Sequence, residues 1–141
     1  MNAKVKDLMV SQVMTTTPHR TVGRVREVMH EHGIHSMPVI DPEGEPVGIV
    51  TSSDLLGGKS DESRVSSVMT RNVYTVPKYA DVSTAARVMR NHHIHHVVVT
   101  HEKKIAGMLS SFDLLRLVED HRFVAKNAPT PSRKARKKMT R

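Results

Sequence analysis

The chain has 141 residues, of which 38% are hydrophobic and 3% aromatic, with no Cys and a formal net charge of +8. That length suits one domain, or two small ones sharing a core, because about 60 residues is marginal for an independent core. The lack of Cys excludes disulfide scaffolds, zinc ribbons and thiol catalysis. No apolar run has the length of a membrane span, so no membrane partner is expected.

The N-terminus carries no apolar segment of the kind found in signal peptides, and the expected location is cytoplasmic. The charge is uneven. Seven bases and no acid fall within residues 125–141, which leaves the rest of the chain close to neutral. That tail contains Pro129 and Pro131 and no apolar period, and it reads as disordered or loosely helical.

Taken in order, the chain states one pattern twice. A short lead-in at 5–10 returns at 65–69. A Thr- and Val-containing stretch ending in Pro follows at 14–18 and again at 72–77, each predicted as a short strand. Val22, Val25, Val28 and Met29 then fall at helical spacing, as do Val82, Ala85, Ala86 and Met89. Thr21 and Asp81 are candidate N-caps. Gly33 is placed to end the first helix in a left-handed turn, and His93 holds the same place in the second. Strands are predicted at 36–40 and 47–50 around a Pro- and Gly-containing turn, and at 96–100 and 105–109 around residues 101–104. A closing helix begins at Thr51 or Ser52 and is stopped by Gly57 and Gly58. Its partner begins at Ser110 or Ser111 and runs to about His121.

The most specific repeat is Gly48-Ile-Val-Thr-Ser-Ser-Asp54, which recurs as Gly107-Met-Leu-Ser-Ser-Phe-Asp113. The Gly leaves room for a backbone or a ligand. The hydroxyl (Thr51, Ser110) and the acid three residues on (Asp54, Asp113) have two readings. As local chemistry they form a capping box, with the acid suitably placed for the helix dipole. As a site, a helix N-terminus offers backbone N–H groups to an anion, and a carboxylate can accept both hydroxyls of a ribose diol.

Two strand-helix-strand-strand-helix units, each closed by this motif and the first preceded by Met37-Pro-Val-Ile-Asp41, resemble a tandem pair of CBS (cystathionine-β-synthase) domains over roughly residues 3–120. The resemblance implies an α/β fold. Repeats 1–60 and 61–122 would pack with pseudo-two-fold symmetry, and a basic tail, 123–141, would stand apart. It implies a regulatory module, with no enzyme activity, that senses an adenine nucleotide (AMP, ADP or ATP, ahead of S-adenosylmethionine or NAD) between the repeats. The module would form a homodimer and act on an effector protein in trans.

By the same resemblance, phosphate and ribose contacts carry over to Thr51 and Asp54, and to Ser110 and Asp113. Adenine contacts carry over to Ser36, Met37 and Pro38, and to His96, Val97 and Val98. The first short strand of each unit brings Thr16, Thr17 and Thr75 to the cleft. Arg116, three residues beyond Asp113, is placed to reach a phosphate, where its counterpart is Gly57. Val98 stands where the first unit has Pro38, Thr100 where it has Asp41, and Ser110 where it has Thr51. If one site alone is filled, the second motif's site is expected.

The remaining features have plainer readings. His30, His32 and His35, with His92, His93, His95 and His96, suggest a metal site. However, alternation along a strand splits neighbouring side chains, and places beside the ligand cleft or on the surface are expected instead, with no metal. The Met residues fill the core. No nucleophile has a base beside it and no Walker loop is present, so no catalytic residues are assigned. Two alternatives stay open: a dimerisation scaffold that binds no ligand, and binding of nucleic acid or an acidic partner through the basic tail.

Overall fold

The computed structural model describes residues 3–57 and 60–120. The basic tail at 123–141, Gly58 and the expected end of the last helix at His121 lie outside the described residues. The first unit contains α1 (Val5–Leu8), α2 (Val22–His32), β1 (Ser36–Ile40), β2 (Pro46–Thr51) and a 3-10 turn, Asp54–Leu56. The second contains a 3-10 turn, Val65–Ser67, then β3 (Thr75–Pro77), α3 (Val82–His92), β4 (His96–His101), β5 (Lys104–Ser110) and α4 (Ser111–Glu119).

The helices form where the apolar spacing asks for them. In α2, Thr21 Oγ1 accepts from the Arg24 amide at 3.2 Å, Val22, Val25 and Met29 are buried, and Gly33 ends the helix at φ +62°. In α3, Val82, Ala85 and Met89 are buried and His93 ends the helix at φ +53°. Asp81 stands at the N-cap position of α3 and its carboxylate accepts from Lys4 Nζ at 2.7 Å.

β1 and β2 form an antiparallel pair; β3 runs parallel to β4, which pairs antiparallel with β5. Val39 faces Gly48 and Val99 faces Gly107, and each pairing shifts register at the next residue. The two units therefore agree even in their irregularities.

Two expectations need correction. The strand predicted at 14–18 is reduced to a single parallel bridge between Thr16 and Val39. In the second unit the Val98 amide bonds the Tyr74 carbonyl at 3.1 Å. The corresponding residue of the first unit is Pro38, which has no N–H to donate, so the ladder there is shorter. The first closing helix is likewise a single 3-10 turn, Asp54–Leu56, followed at once by Gly57. Its counterpart, α4, continues through Leu114, Leu115, Arg116 and Leu117, all good helix formers.

The cores are built by exchange. Val5 and Leu8 of the first lead-in are buried with Val76, Ala85, Val97, Val99 and Leu109 of the second unit. Val65 of the second lead-in is buried with Val22, Val25, Met37, Val39 and Val50 of the first. Backbone bonds secure both crossings. The Val5 amide reaches the Ala80 carbonyl at 2.9 Å, and the Val65 amide reaches the Arg20 carbonyl at 2.8 Å.

The motif glycines serve these crossings. A Cβ on Gly107 would lie 2.6 Å from the Val10 carbonyl oxygen and 2.8 Å from Met9 Sδ, and one on Gly48 would lie 2.5 Å from Met69 Sδ. Val10 and Met108 exchange backbone bonds at 2.9 and 3.0 Å, and Ile49 and Thr70 do so at 2.9 and 2.8 Å. Gly107→Ala must displace backbone, whereas Gly48→Ala first meets a flexible thioether. Chemical denaturation is expected to give a loss of about 2 kcal/mol for Gly107→Ala, in the range for overpacking, and a smaller one for Gly48→Ala.

Candidate functional site

At the end of each hairpin's second strand the motif closes on itself. Thr51 N donates to Asp54 Oδ2 at 2.8 Å, and Asp54 N donates to Thr51 Oγ1 at 3.4 Å. Ser110 N donates to Asp113 Oδ2 at 2.8 Å, and Asp113 N donates to Ser110 Oγ at 3.1 Å. Both capping boxes are therefore formed. They also fix the acids, because each carboxylate is held through one oxygen and keeps the acceptor capacity of the other.

The strand starts are tied to the motifs beside them. The Ser52 amide donates to the His35 carbonyl at 2.9 Å, with Ser52 Oγ 3.2 Å from His35 Nδ1. The Ser111 amide donates to the His95 carbonyl at 2.8 Å, with Ser111 Oγ 3.5 Å from His95 Nδ1.

Two clefts open between the units. The larger, about 660 Å³, is lined by Ile49, Thr51 and Ser52 of the first unit and by Tyr74, Ile94 and His96 of the second. The smaller, about 310 Å³, is lined by Met108, Ser110 and Asp113 of the second unit and by Met14, Ile34 and Ser36 of the first. These sets correspond under the internal repeat: Ile49 with Met108, Thr51 with Ser110, Tyr74 with Met14, Ile94 with Ile34, and His96 with Ser36. Each cleft thus joins one unit's motif to the other unit's strand start and to the stretch that follows its lead-in. His35 and His96 border both clefts.

Of the residues singled out from the sequence, Thr51, His96 and Val98 meet in the larger cleft, with Asp54 held to Thr51 beside it. Ser36, Ser110 and Asp113 meet in the smaller one. Met37 and Val97 are each 1% exposed and belong to the two cores, and Pro38 is buried between Met37 and Val39. Thr16, Thr17 and Met37 line a separate hollow against α2. Thr75 is exposed on β3, and Arg116 is exposed on α4. The residues that sequence reasoning missed are Ile34 and Ile94, and Met14 and Tyr74. Tyr74 is stacked on His92 with ring centroids 4.0 Å apart. Their signal was present as matched positions in the repeat, but nothing local marked them as facing the opposite motif.

Among the described residues, no three His, Asp or Glu side chains come together in a metal-binding arrangement. No helix among the described residues is long and apolar enough to cross a membrane. At His96, burial above all, and then the neighbouring His95, hold the imidazole below its ordinary value, with Asp113 opposing. The unfolded imidazole, near pH 6.5, binds protons more readily than the folded one. Its contribution to stability is complete above that value and is lost as pH falls through it toward the lower folded value. Denaturant titrations between about pH 7.5 and 5 should show a larger acid loss in the parent than in His96→Asn. Equal losses would remove His96 as the cause.

The family model for the CBS domain matches residues 5–60 and 65–120. An uncharacterised 17.7 kDa protein of Acidianus ambivalens is 30% identical over 124 residues, covering 85% of this chain and 76% of that protein. The inosine-5'-monophosphate dehydrogenase of Methanocaldococcus jannaschii is 27% identical over 80% of this chain, which spans 23% of the enzyme's length. Among solved structures, a CBS domain pair in complex with 5'-methylthioadenosine and S-adenosyl-L-methionine superposes with a TM-score of 0.76 at 26% identity, covering 84% of this chain and 98% of that one. The CBS domain of a membrane protein from Sphaerobacter thermophilus superposes at 0.75 with 29% identity, covering 82% and 88%.

Proposed function

The chain belongs to the CBS domain family as a tandem pair, a regulatory ligand-binding module, and from that premise we propose that it senses an adenosine-type ligand held between its repeats. The observation that carries this reading is the pair of corresponding clefts, each with a motif hydroxyl at one wall and an Ile just before a strand at the other, with Asp113 lining the smaller cleft and Asp54 held to Thr51 beside the larger. The free carboxylate oxygen of Asp113 suits a ribose diol, and Ile34 or Ile94 suits the flat face of a base. The relative bound to 5'-methylthioadenosine and S-adenosyl-L-methionine supports the same ligand class.

The lining also bears on which member of that class is bound. Among the described residues, neither cleft is lined by Lys or Arg, and His96 is held neutral near pH 7. A triphosphate would meet no fixed cation in either cleft. AMP, or an adenosine derivative without phosphate, fits this lining better than ATP.

The ligand acts by favouring one arrangement of repeats or protomers over another, and it can shift that balance only through its differential affinity. A homodimer is the natural assembly for such a response. α4 has no buried residue and exposes Phe112, Leu115 and Val118 on one side, an apolar face suited to a second copy. The regulated activity belongs to a protein reached in trans.

The test is a thermal-shift titration with adenosine, 5'-methylthioadenosine, AMP, ADP, ATP, NAD and S-adenosylmethionine. A ligand at about a hundred times its dissociation constant adds about 2.7 kcal/mol, several degrees for a domain of this size. A rise with at least one of them, diminished in Thr51→Ala or Ser110→Ala, is expected. No rise across the panel would leave the capping boxes as purely structural and favour a dimerisation scaffold.

A further inference from the structure

A third hollow, of about 360 Å³, lies in the first repeat away from both clefts, between the 14–17 segment and the start of α2. Thr15, Thr16, Thr17, Arg20, Arg24 and Met37 contribute to its lining. Three observations on it are independent of one another.

The first concerns Thr16, the one buried polar residue among those described, at 7% exposure. Its counterpart Val76, 2% exposed, belongs to the apolar core of the second repeat. The Thr16 hydroxyl has no hydrogen-bond partner among the described residues, and no fully buried side-chain polar atom is left unsatisfied. The hydroxyl is therefore open to solvent, and Thr16 contributes to the lining of the hollow. A ligand oxygen in the hollow would give this hydroxyl a fixed partner in place of solvent.

The second concerns charge. Arg20 and Arg24 flank the N-terminal end of α2, whose first turn contains no acid. Cations at that end oppose the helix dipole. Arg24 is offset by Glu27 at 3.4 Å, both side chains half-exposed, whereas the Arg20 guanidinium has no ion pair among the described residues. The third is asymmetry. The second repeat has Ala80 and Thr84 at these positions, and Val76 and Pro77 in place of Thr16 and Thr17. The fold does not require the arrangement, since the other copy is built without it.

We propose that this hollow is a binding site for a phosphomonoester or a similar small organic oxyanion. The two guanidinium groups and the threonine hydroxyls would meet its oxygens, and the half-buried Val28 of α2 would meet its organic part. Arginine suits this role because its planar fork donates two parallel bonds to such a group. The site is separate from the adenosine clefts and does not depend on them.

The experiment is isothermal titration of the full chain with inorganic phosphate and with phenyl phosphate, at constant ionic strength. Arg20→Ala and Thr16→Val install the residue types that the second repeat already carries, and circular dichroism confirms that each variant is folded. Saturable binding of one anion per chain is expected, with phenyl phosphate the tighter. Arg20→Ala should weaken it by about tenfold or more, the loss of a charge-assisted bond, and Thr16→Val should weaken it as well. Binding should persist in Asp113→Ala. The proposal is overturned by no saturable binding, by equal binding in the parent and both hollow variants, or by binding that only Asp113→Ala removes, which would put the anion in the cleft.

Discussion

Val5→Asp is expected to unfold the second half of the molecule while changing a residue of the first. Val5 is fully buried, and its neighbours are Val82, Ala85, Val97 and Leu109. An aspartate there would be a buried carboxylate without a partner, a cost of several kcal/mol against a total stability of about 5–15 kcal/mol for a domain. Val5→Ala removes apolar contact alone and should cost about 2 kcal/mol. Hydrogen exchange distinguishes the exchanged architecture from two self-contained halves. The amides of β4 and β5 should lose protection first in either variant. Protection lost only in α2 and β1 would mean that the lead-in does not complete the second core. Val65→Asp is the mirror experiment, with the loss expected in α2, β1 and β2, because Val65 lies in the other core.

Asp113→Ala should separate the two roles of its carboxylate. The acid accepts from the Ser110 amide at 2.8 Å, so its loss opens a capping box and exposes an unpaired amide at the start of α4. That structural part should cost about 1 kcal/mol, typical of a lost cap. The ligand response should fall much further. If the ribose diol is held by the remaining carboxylate oxygen, the thermal shift produced by any adenosine-type ligand in the smaller cleft should vanish. Asp113→Asn keeps an acceptor at the same place without the charge, and should restore the cap more fully than the ligand response. A ligand response unchanged in both variants would remove Asp113 from the site. Calorimetric stoichiometry would then report whether the larger cleft, beside Asp54, is the occupied one.

The internal repeat made most of the architecture readable in advance. The positions of α2, α3 and both hairpins followed from apolar spacing and from turn residues. Gly33 ended its helix as expected because a left-handed residue is needed there. The misreadings have local causes. A strand pattern at 14–18 could not reveal that Pro38, more than twenty residues later, would withhold the donor that a ladder needs. Nor could the pattern name the partner of each lead-in. Val5 and Val65 announce that they must be buried, but apolar surface is not selective, and either core would satisfy it. The composition of the clefts was hidden for the same reason. The motif acids were legible as local chemistry, whereas Ile34 and Tyr74 acquire meaning only once the second lead-in has crossed to the first unit. Met37 and Val97 matched expected contact positions in sequence yet point into the cores, because alternate residues of a strand face opposite ways.

His35 and His96 border both clefts, and an imidazole can hold only one rotamer and one tautomer at a time. If both clefts take ligands, the arrangement that the first selects is the one the second meets. If ligands fill both clefts, any effect of one on the affinity of the other through these side chains is reciprocal, by the same factor in either direction. If the shared histidines suit both ligands at once, the response to rising concentration steepens into a threshold. If they suit only one, the second cleft fills late, and the molecule reports two ranges of concentration instead of one.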